Sequence, residues 1–303
     1  MLTGLTGRPV LGVLPWRDGL ALDMEDSLAL DTARPVGGVR HGSLGQEVLR
    51  VSVVRTPRIS NFTDVDALAA EPGVLVRFAT SPTELADADL VVLPGSRATV
   101  ADLGWLREQG LASVIQDRAR NGLPLLGICG GYQMLAAEID DQVESRAGVL
   151  PGLGLLPVRV TFGEQKILGR PRGTAYGADV TGYEIHHGIA RVTERAAEPF
   201  PGGCRSAAVW GTTWHGTLEC DDFRRAFLTE VAARAGREFI VAPDTSFAAA
   251  RQERLDTLAD LVAEHLDGAE LDRLISGGPP PGLPAVLPSL LGQPFRADPA
   301  SVR

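Results

Sequence analysis

Short apolar runs, each closed by turn residues, dominate the first half of the chain. Residues 48–54 are β-branched and apolar and end at Arg55 and Pro57; residues 74–78 and 90–93 form two further runs of the same kind. Unbroken apolarity over so few residues is the pattern of strands buried on both faces. Elsewhere the spacing changes. Residues 99–120 carry Leu103, Leu106, Leu111, Val114 and Ile115 near helical spacing, which predicts one helix. Residues 123–128 predict another strand and 132–139 another helix. The alternation predicts an α/β fold, an open and mostly parallel sheet flanked by helices.

Beyond residue 150 the pattern differs. Residues 154–162, 180–192 and 206–214 predict strands with no long helix between them, hence added mixed or antiparallel strands of the same sheet. Residues 221–235 predict a helix, and Leu255, Leu258, Val262 and Leu266 a late amphipathic one. The apolar run at 10–16 predicts a single strand, and the acidic stretch 23–31 with the Gly/Arg segment behind it a linker. From Gly277 the chain is rich in proline, which predicts a disordered or extended tail. The expected division is therefore a linker-like segment at 1–45, a domain at 46–240, a helical segment at 241–276 and a tail at 277–303.

Composition narrows the function. No apolar run approaches the roughly 18–20 residues of a membrane helix, and the start MLTGLTGRPV lacks the form of a secretory signal. A net charge of −9 without a basic stripe argues against a general nucleic-acid binder. Three cysteines, Cys129, Cys204 and Cys220, offer neither a disulfide ladder nor a CxxC metal knuckle, so no metal is expected and a reducing cytoplasm is the expected home. Lys166 is the single lysine and lies in GEQKILG. A phosphate-binding loop of the GxxxxGK[ST] kind needs a lysine after its last glycine, so the chain carries none.

The most informative stretch is Leu125-Leu126-Gly127-Ile128-Cys129-Gly130-Gly131-Tyr132-Gln133. An apolar strand runs into G-x-C-G-G and then a helix. Nucleophile elbows have this form: the reactive side chain sits on a sharp strand-to-helix turn, and small neighbours let backbone and substrate come close. The helix N-terminus behind Cys129 favours the thiolate, and the Gly130 N–H points where an oxyanion would form. A buried structural thiol is the plainer alternative; the full strand–GICGGYQ–helix context favours the nucleophile.

A cysteine nucleophile needs a base, normally histidine. His41 lies in a Gly-rich linker and His265 in the late helix, where packing or solvation suffices to explain them. His215, in WGTTWHG, follows an apolar strand, where open α/β sheets build their sites, and is preferred on that ground. His186 and His187, in YEIHHG, either line the same cleft or belong to a surface strand. Gly95 and Ser96, in LPGSR, follow another apolar strand and could complete an oxyanion hole, although an ordinary strand-to-helix turn has the same look.

These blocks resemble a class I glutamine amidotransferase domain with a flavodoxin-like core. More closely, they resemble the C-terminal part of the cobyric acid synthase family of cobalamin biosynthesis. The resemblance runs in order through GVLPW at 12–16, EDSLAL at 25–30, RISNF at 58–62, LPGSRAT at 93–99, GICGGYQML at 127–135, GYEIHHG at 182–188 and GTTWHG at 211–216, covering roughly residues 8–275. It implies that Cys129 attacks the carboxamide of glutamine and that N–H groups at Gly95 or Ser96 and at Gly130 hold the oxyanion. Gln133 would contact the bound glutamine, and His215 would protonate the leaving ammonia and then activate water. Ammonia would pass to a second site where ATP activates carboxylates of adenosylcobyrinic acid a,c-diamide.

Two departures accompany the resemblance. Many class I domains carry His-x-Glu, but here Gly216 and Thr217 follow His215, so the histidine is expected to work in a dyad, with Glu219 and Asp221 as weak candidates for an orienting carboxylate. The family also begins with a dethiobiotin-synthetase-like domain that binds ATP and Mg²⁺. This chain resembles only that domain's end and the linker, so any ATP and Mg²⁺ are expected in a synthetase domain upstream or on another chain. No cofactor is expected in the chain itself. Two other functions remain: a glutaminase subunit of a different amidating synthetase, such as one acting on a cell-wall precursor, or an inactive interaction module.

Overall fold

The computed structural model describes residues 2–17, 45, 47–194 and 197–283. The chain divides into two compact units, residues 18–252 in one and residues 1–17 with 253–303 in the other. After a short helix α1 (Leu2–Thr6), the larger unit begins with β1 (Leu49–Val54), the two-residue β2 (Ile59–Ser60), β3 (Val74–Ala79), β4 (Leu90–Leu93), the two-residue β5 (Gly95–Ser96) and β6 (Leu125–Ile128). Between them lie α2 (Asp66–Ala69), α3 (Pro82–Leu85), α4 (Thr99–Glu108) and α5 (Leu111–Arg120). The short α6 (Gly130–Leu135) follows β6. Next come β7 (Ala136–Asp141), β8 (Gly148–Pro151), β9 (Leu156–Gly169), β10 (Arg172–Ala175), β11 (Ala178–Thr181), β12 (Glu184–Val192), β13 (Glu198–Phe200), β14 (Gly203–Ser206) and β15 (Val209–Thr212).

The central sheet has the order β13-β14-β15-β6-β4-β1-β3. The five strands from β15 to β3 run parallel, and β14 and β13 add an antiparallel edge. Alternate residues of the central strands serve opposite cores, as a period of two requires. Leu126, Ile128 and Trp210 join Phe223 and Phe227 on one face, while Leu125, Val91 and Leu93 join Leu103, Leu106 and Ile115 on the other. Covering both faces explains why these strands read as unbroken apolar runs. Phe223 and Phe227 lie on α7 (Asp221–Ala235), where the periodicity places a helix, and Trp210 packs edge-on against Phe227.

Four expectations are corrected. The helix expected over 99–120 is two, because Gly110 takes a left-handed φ of 72° between α4 and α5. There it ends the first helix at no steric cost. The helix expected to reach Ile139 stops at Leu135, since Ala136 turns to ψ 158° and the chain becomes β7, paired in parallel with β9. The strands expected at 154–162 and 180–192 do not extend the central sheet. They form a separate four-stranded sheet of order β12-β9-β7-β8. The strand expected at 10–16 is one isolated bridge, Gly12 to Leu266.

In the smaller unit, Asp267 donates its N–H to the Leu11 carbonyl at 2.7 Å. That aspartate also caps α9 (Gly268–Gly277), which follows α8 (Phe247–His265), by accepting from the Glu270 N–H. The linker residues 23–31, His41 and most of the Pro-rich tail lie outside the described residues. No helix among those described is long and apolar enough to cross a membrane.

Candidate active site

Three neighbouring parallel strands, β15, β6 and β4, end on one edge of the sheet, and the chain leaving each of them supplies part of the site. Parallel sheets place sites there because the strand ends open into a crevice. β6 delivers Cys129, at φ 49° and ψ −106°. Positive φ is uncommon for a non-glycine residue, and strain of this kind is characteristic of nucleophile elbows. The turn is held at both ends, because Cys129 donates its N–H to Thr212 at 2.7 Å and accepts from the Gln133 N–H at 3.0 Å.

The glycines after Cys129 are required by what touches them. A Cβ on Gly131 would collide with the Leu93 carbonyl oxygen at the end of β4. A Cβ on Gly130 would lie 2.7 Å from the Ser96 backbone nitrogen. Gly131→Ala is therefore expected to cost about 1–3 kcal/mol of stability through overpacking. Chemical denaturation read by tryptophan fluorescence would measure the loss, and a wild-type midpoint would refute the close approach.

β15 leads to His215, which is almost wholly buried. Its Nδ1 donates to Asp64 Oδ2 at 2.6 Å, while the second oxygen, Oδ1, accepts from the Gly216 N–H at 2.7 Å. A carboxylate only accepts, so the Nδ1 proton is assigned and Nε2 is left for the reaction. Burial pulls the imidazolium down. The charge of Asp64, its hydrogen bond and the contact with Cys129 outweigh burial and raise His215 to about 10. At neutral pH the ring is thus held as an imidazolium beside the Cys129 sulfur.

The carboxylate is one the sequence did not single out. His215 works with Asp64, across 151 residues, and neither Glu219 nor Asp221 takes that place. Asp221 instead accepts from the Phe247 N–H and pairs with Arg224. Asp64 lies in the 3₁₀ turn Phe62–Val65, just beyond the RISNF block, and is itself buried. A fully buried ion pair, Glu71 to Arg224 at 3.0 Å, fastens the helix after that turn to the segment behind His215, since Arg224 also donates to the Leu218 carbonyl. The only available signal was an aspartate among the buried apolar residues Phe62, Val65 and Leu68.

Tyr183 completes the surroundings of the base. Its ring stacks on the imidazole at 5.1 Å and 25°, the two residues exchange backbone hydrogen bonds, and its hydroxyl accepts from Asn61 at 2.8 Å. β4 leads to Gly95 and Ser96, which pair with β2. A Cβ on Gly95 would sit 3.3 Å from His215 Cε1, so this strand borders the base as well as Gly130. The Ser96 hydroxyl donates to Asp102 and accepts from the Ala98 N–H, so it is already engaged. Gln133 is buried, with its Oε1 accepting from the Thr99 hydroxyl and its Nε2 against Gly188. His187 pairs with the Gly163 carbonyl, and His265 with its own helix. Cys204 is buried against Tyr132 and Cys220 lies beside Thr181, so neither joins Cys129.

A cysteine sulfur on a strand-to-helix turn beside an imidazole held by a carboxylate is an arrangement able to perform acyl transfer on a carboxamide. The sequence model of the CobB/CobQ-like glutamine amidotransferase domain matches residues 50–223. The chain belongs to this family. Within this amidotransferase family, similar curated proteins are named cobyric acid synthase. Those of Streptomyces coelicolor and Streptomyces avermitilis are 59% and 58% identical over 292 residues, 95% of this chain and 57% of each relative. That of Saccharopolyspora erythraea is 55% identical over 300 residues, 96% of this chain and 58% of the relative. The chain thus spans little more than half the length of these relatives.

Proposed function

We propose that this chain is the glutaminase portion of a cobyric acid synthase. It releases ammonia from glutamine for the ATP-dependent amidation of carboxylates on adenosylcobyrinic acid a,c-diamide. The observation that carries the reading is Cys129 on a strained elbow, facing a histidine held by Asp64. The names of the relatives supply the synthase. A thiol nucleophile favours a reducing compartment, which supports the cytoplasm.

The Cys129 sulfur, as the thiolate paired with the His215 imidazolium, attacks the side-chain carbonyl carbon of glutamine, and the oxygen takes the charge toward the N–H groups of Gly130 and of Gly95 or Ser96. His215 gives its proton to the amide nitrogen, the C–N bond breaks and ammonia leaves. The neutral imidazole then takes a proton from water, which attacks the thioester, and glutamate departs as the thiolate re-forms. The sum is glutamine plus water to glutamate plus ammonia. ATP with Mg²⁺ would activate the acceptor carboxylate in a synthetase domain. Lys166, exposed on β9, is no part of such a loop here.

The test is release of ammonia and glutamate by this chain alone, then glutamine-dependent amidation of the corrinoid when the synthetase domain is supplied. Turnover in the first and transfer in the second are the expected results. Turnover without transfer would limit the reading to glutaminase, and failure of both would end it.

A further inference from the structure

The segment Gly95–Ser96 touches the elbow on one side, at Gly130, and the base on the other, at His215. What fixes it is a carboxyl group outside the catalytic residues. The Ser96 hydroxyl donates to Asp102 Oδ2 at 2.6 Å and accepts from the Ala98 N–H at 3.0 Å. Asp102 stands in the first turn of α4, and its side chain is wholly buried. It does not cap the helix, which starts at Ala98 without a side-chain cap, and the Asp102 N–H makes the ordinary helical bond to the Ala98 carbonyl. Its other oxygen, Oδ1, is buried without a hydrogen-bond partner, with the half-exposed Arg58 guanidinium 3.8 Å away. A carboxyl group so placed costs the core free energy. Among the described residues, the hydrogen bond that its side chain makes is the one to Ser96. The same turn of α4 also holds the elbow helix, because the Thr99 hydroxyl donates to Gln133 Oε1. The start of α4 thus sets the Ser96 segment and the elbow in register with each other.

We infer that Asp102 is a positioning residue for amide cleavage, acting through the Ser96 hydroxyl to hold the Gly95–Ser96 backbone at its place between Cys129 and His215. This rests on the glutaminase reading, since the step served is attack on a carboxamide. Asp102 touches neither the nucleophile nor the base, so its effect passes through the segment alone. A displacement of about 1 Å beside reacting atoms can cost about 100-fold in rate. Releasing the segment would leave the thiolate–imidazolium pair in place, because Asp64 holds His215 and backbone atoms hold the turn at Cys129. What weakens is the fit of the site to the carbonyl as it reacts, which lowers kcat rather than raising KM.

The test compares wild type with Ser96→Ala, Asp102→Ala, the double variant and Asp102→Asn. Each is assayed for ammonia release from glutamine and, by peptide mass spectrometry, for the rate at which iodoacetamide alkylates Cys129. Alkylation is displacement at a saturated carbon, so it reads the thiolate without a carbonyl to be held. Ser96→Ala and Asp102→Ala should each lower kcat about 10–100-fold, with KM and the alkylation rate within about 3-fold of wild type. The double variant should be no slower than the slower single one, because both changes remove one hydrogen bond. Asp102→Asn keeps an acceptor for the hydroxyl and should recover at least about 5-fold in kcat over Asp102→Ala. A kcat within about 3-fold of wild type in both single variants, losses that multiply in the double variant, or alkylation that falls in step with kcat would overturn the role. If Asp102→Ala fails to fold, Ser96→Ala against Asp102→Asn decides, since only the first loses the hydrogen bond. The two readings fail differently: a wild-type chain that releases no ammonia would end both, whereas turnover that the single variants leave intact would end this one alone.

Discussion

Replacing Cys129 by alanine should reduce ammonia release from glutamine by about 10⁴–10⁶-fold, the scale seen when a triad nucleophile is removed. Nothing else in the described site can form the thioester, because Cys204 and Cys220 are engaged elsewhere. The loss should lie in kcat, with the fold intact, since the elbow's hydrogen bonds to Thr212 and Gln133 are made by backbone atoms. In an enzyme completed with the synthetase domain, amidation driven by added ammonia should persist. Coupled measurement of glutamate formation, alongside a melting curve, separates a dead nucleophile from a misfolded chain. Glutamine turnover within 10-fold of wild type would remove Cys129 from the mechanism.

Asp64→Asn should lower kcat by about two to four orders of magnitude, as loss of the orienting carboxylate does in other triads. An asparagine can turn its amide N–H toward Nδ1, which favours a neutral ring in place of the imidazolium that protonates the leaving ammonia. It also removes the charge that raises His215 to about 10 against the pull of burial. The alkaline limit of activity should therefore move down in the variant. Stability should follow the same linkage. In the wild type the folded state holds the proton more firmly than the unfolded chain, whose histidine titrates near 6.5. The stabilisation is thus full below about pH 6.5 and is lost as pH rises toward 10. Melting temperatures from pH 6 to pH 10 should fall more steeply for wild type than for Asp64→Asn. Parallel curves and an unshifted activity limit would show that Asp64 does not govern the base.

The reading of 90–93 as a buried strand matches β4, and 221–235 matches α7, because each is bounded by its own turn and capping residues. The reading of 132–139 as a helix failed where partners decide. Residues 136–141 have the apolar positions of either element, and pairing with β9 makes them a strand. Likewise, which sheet a strand joins is absent from its own pattern, so β9 and β12 were placed in the wrong one.

The turn at Cys129 is legible because an elbow is local. The strand, the small residues and the helix lie within nine positions, and the strained turn follows from contacts those residues must make. His215 is half legible, as a histidine after a strand. Its carboxylate partner is decided by tertiary structure. Asp64 stands 151 residues from His215, and folding brings them to 2.6 Å by packing the helix after one against the segment behind the other through Glu71 and Arg224. A carboxylate acts on an imidazole through distance and burial, and neither is written in the spacing of the residues along the chain.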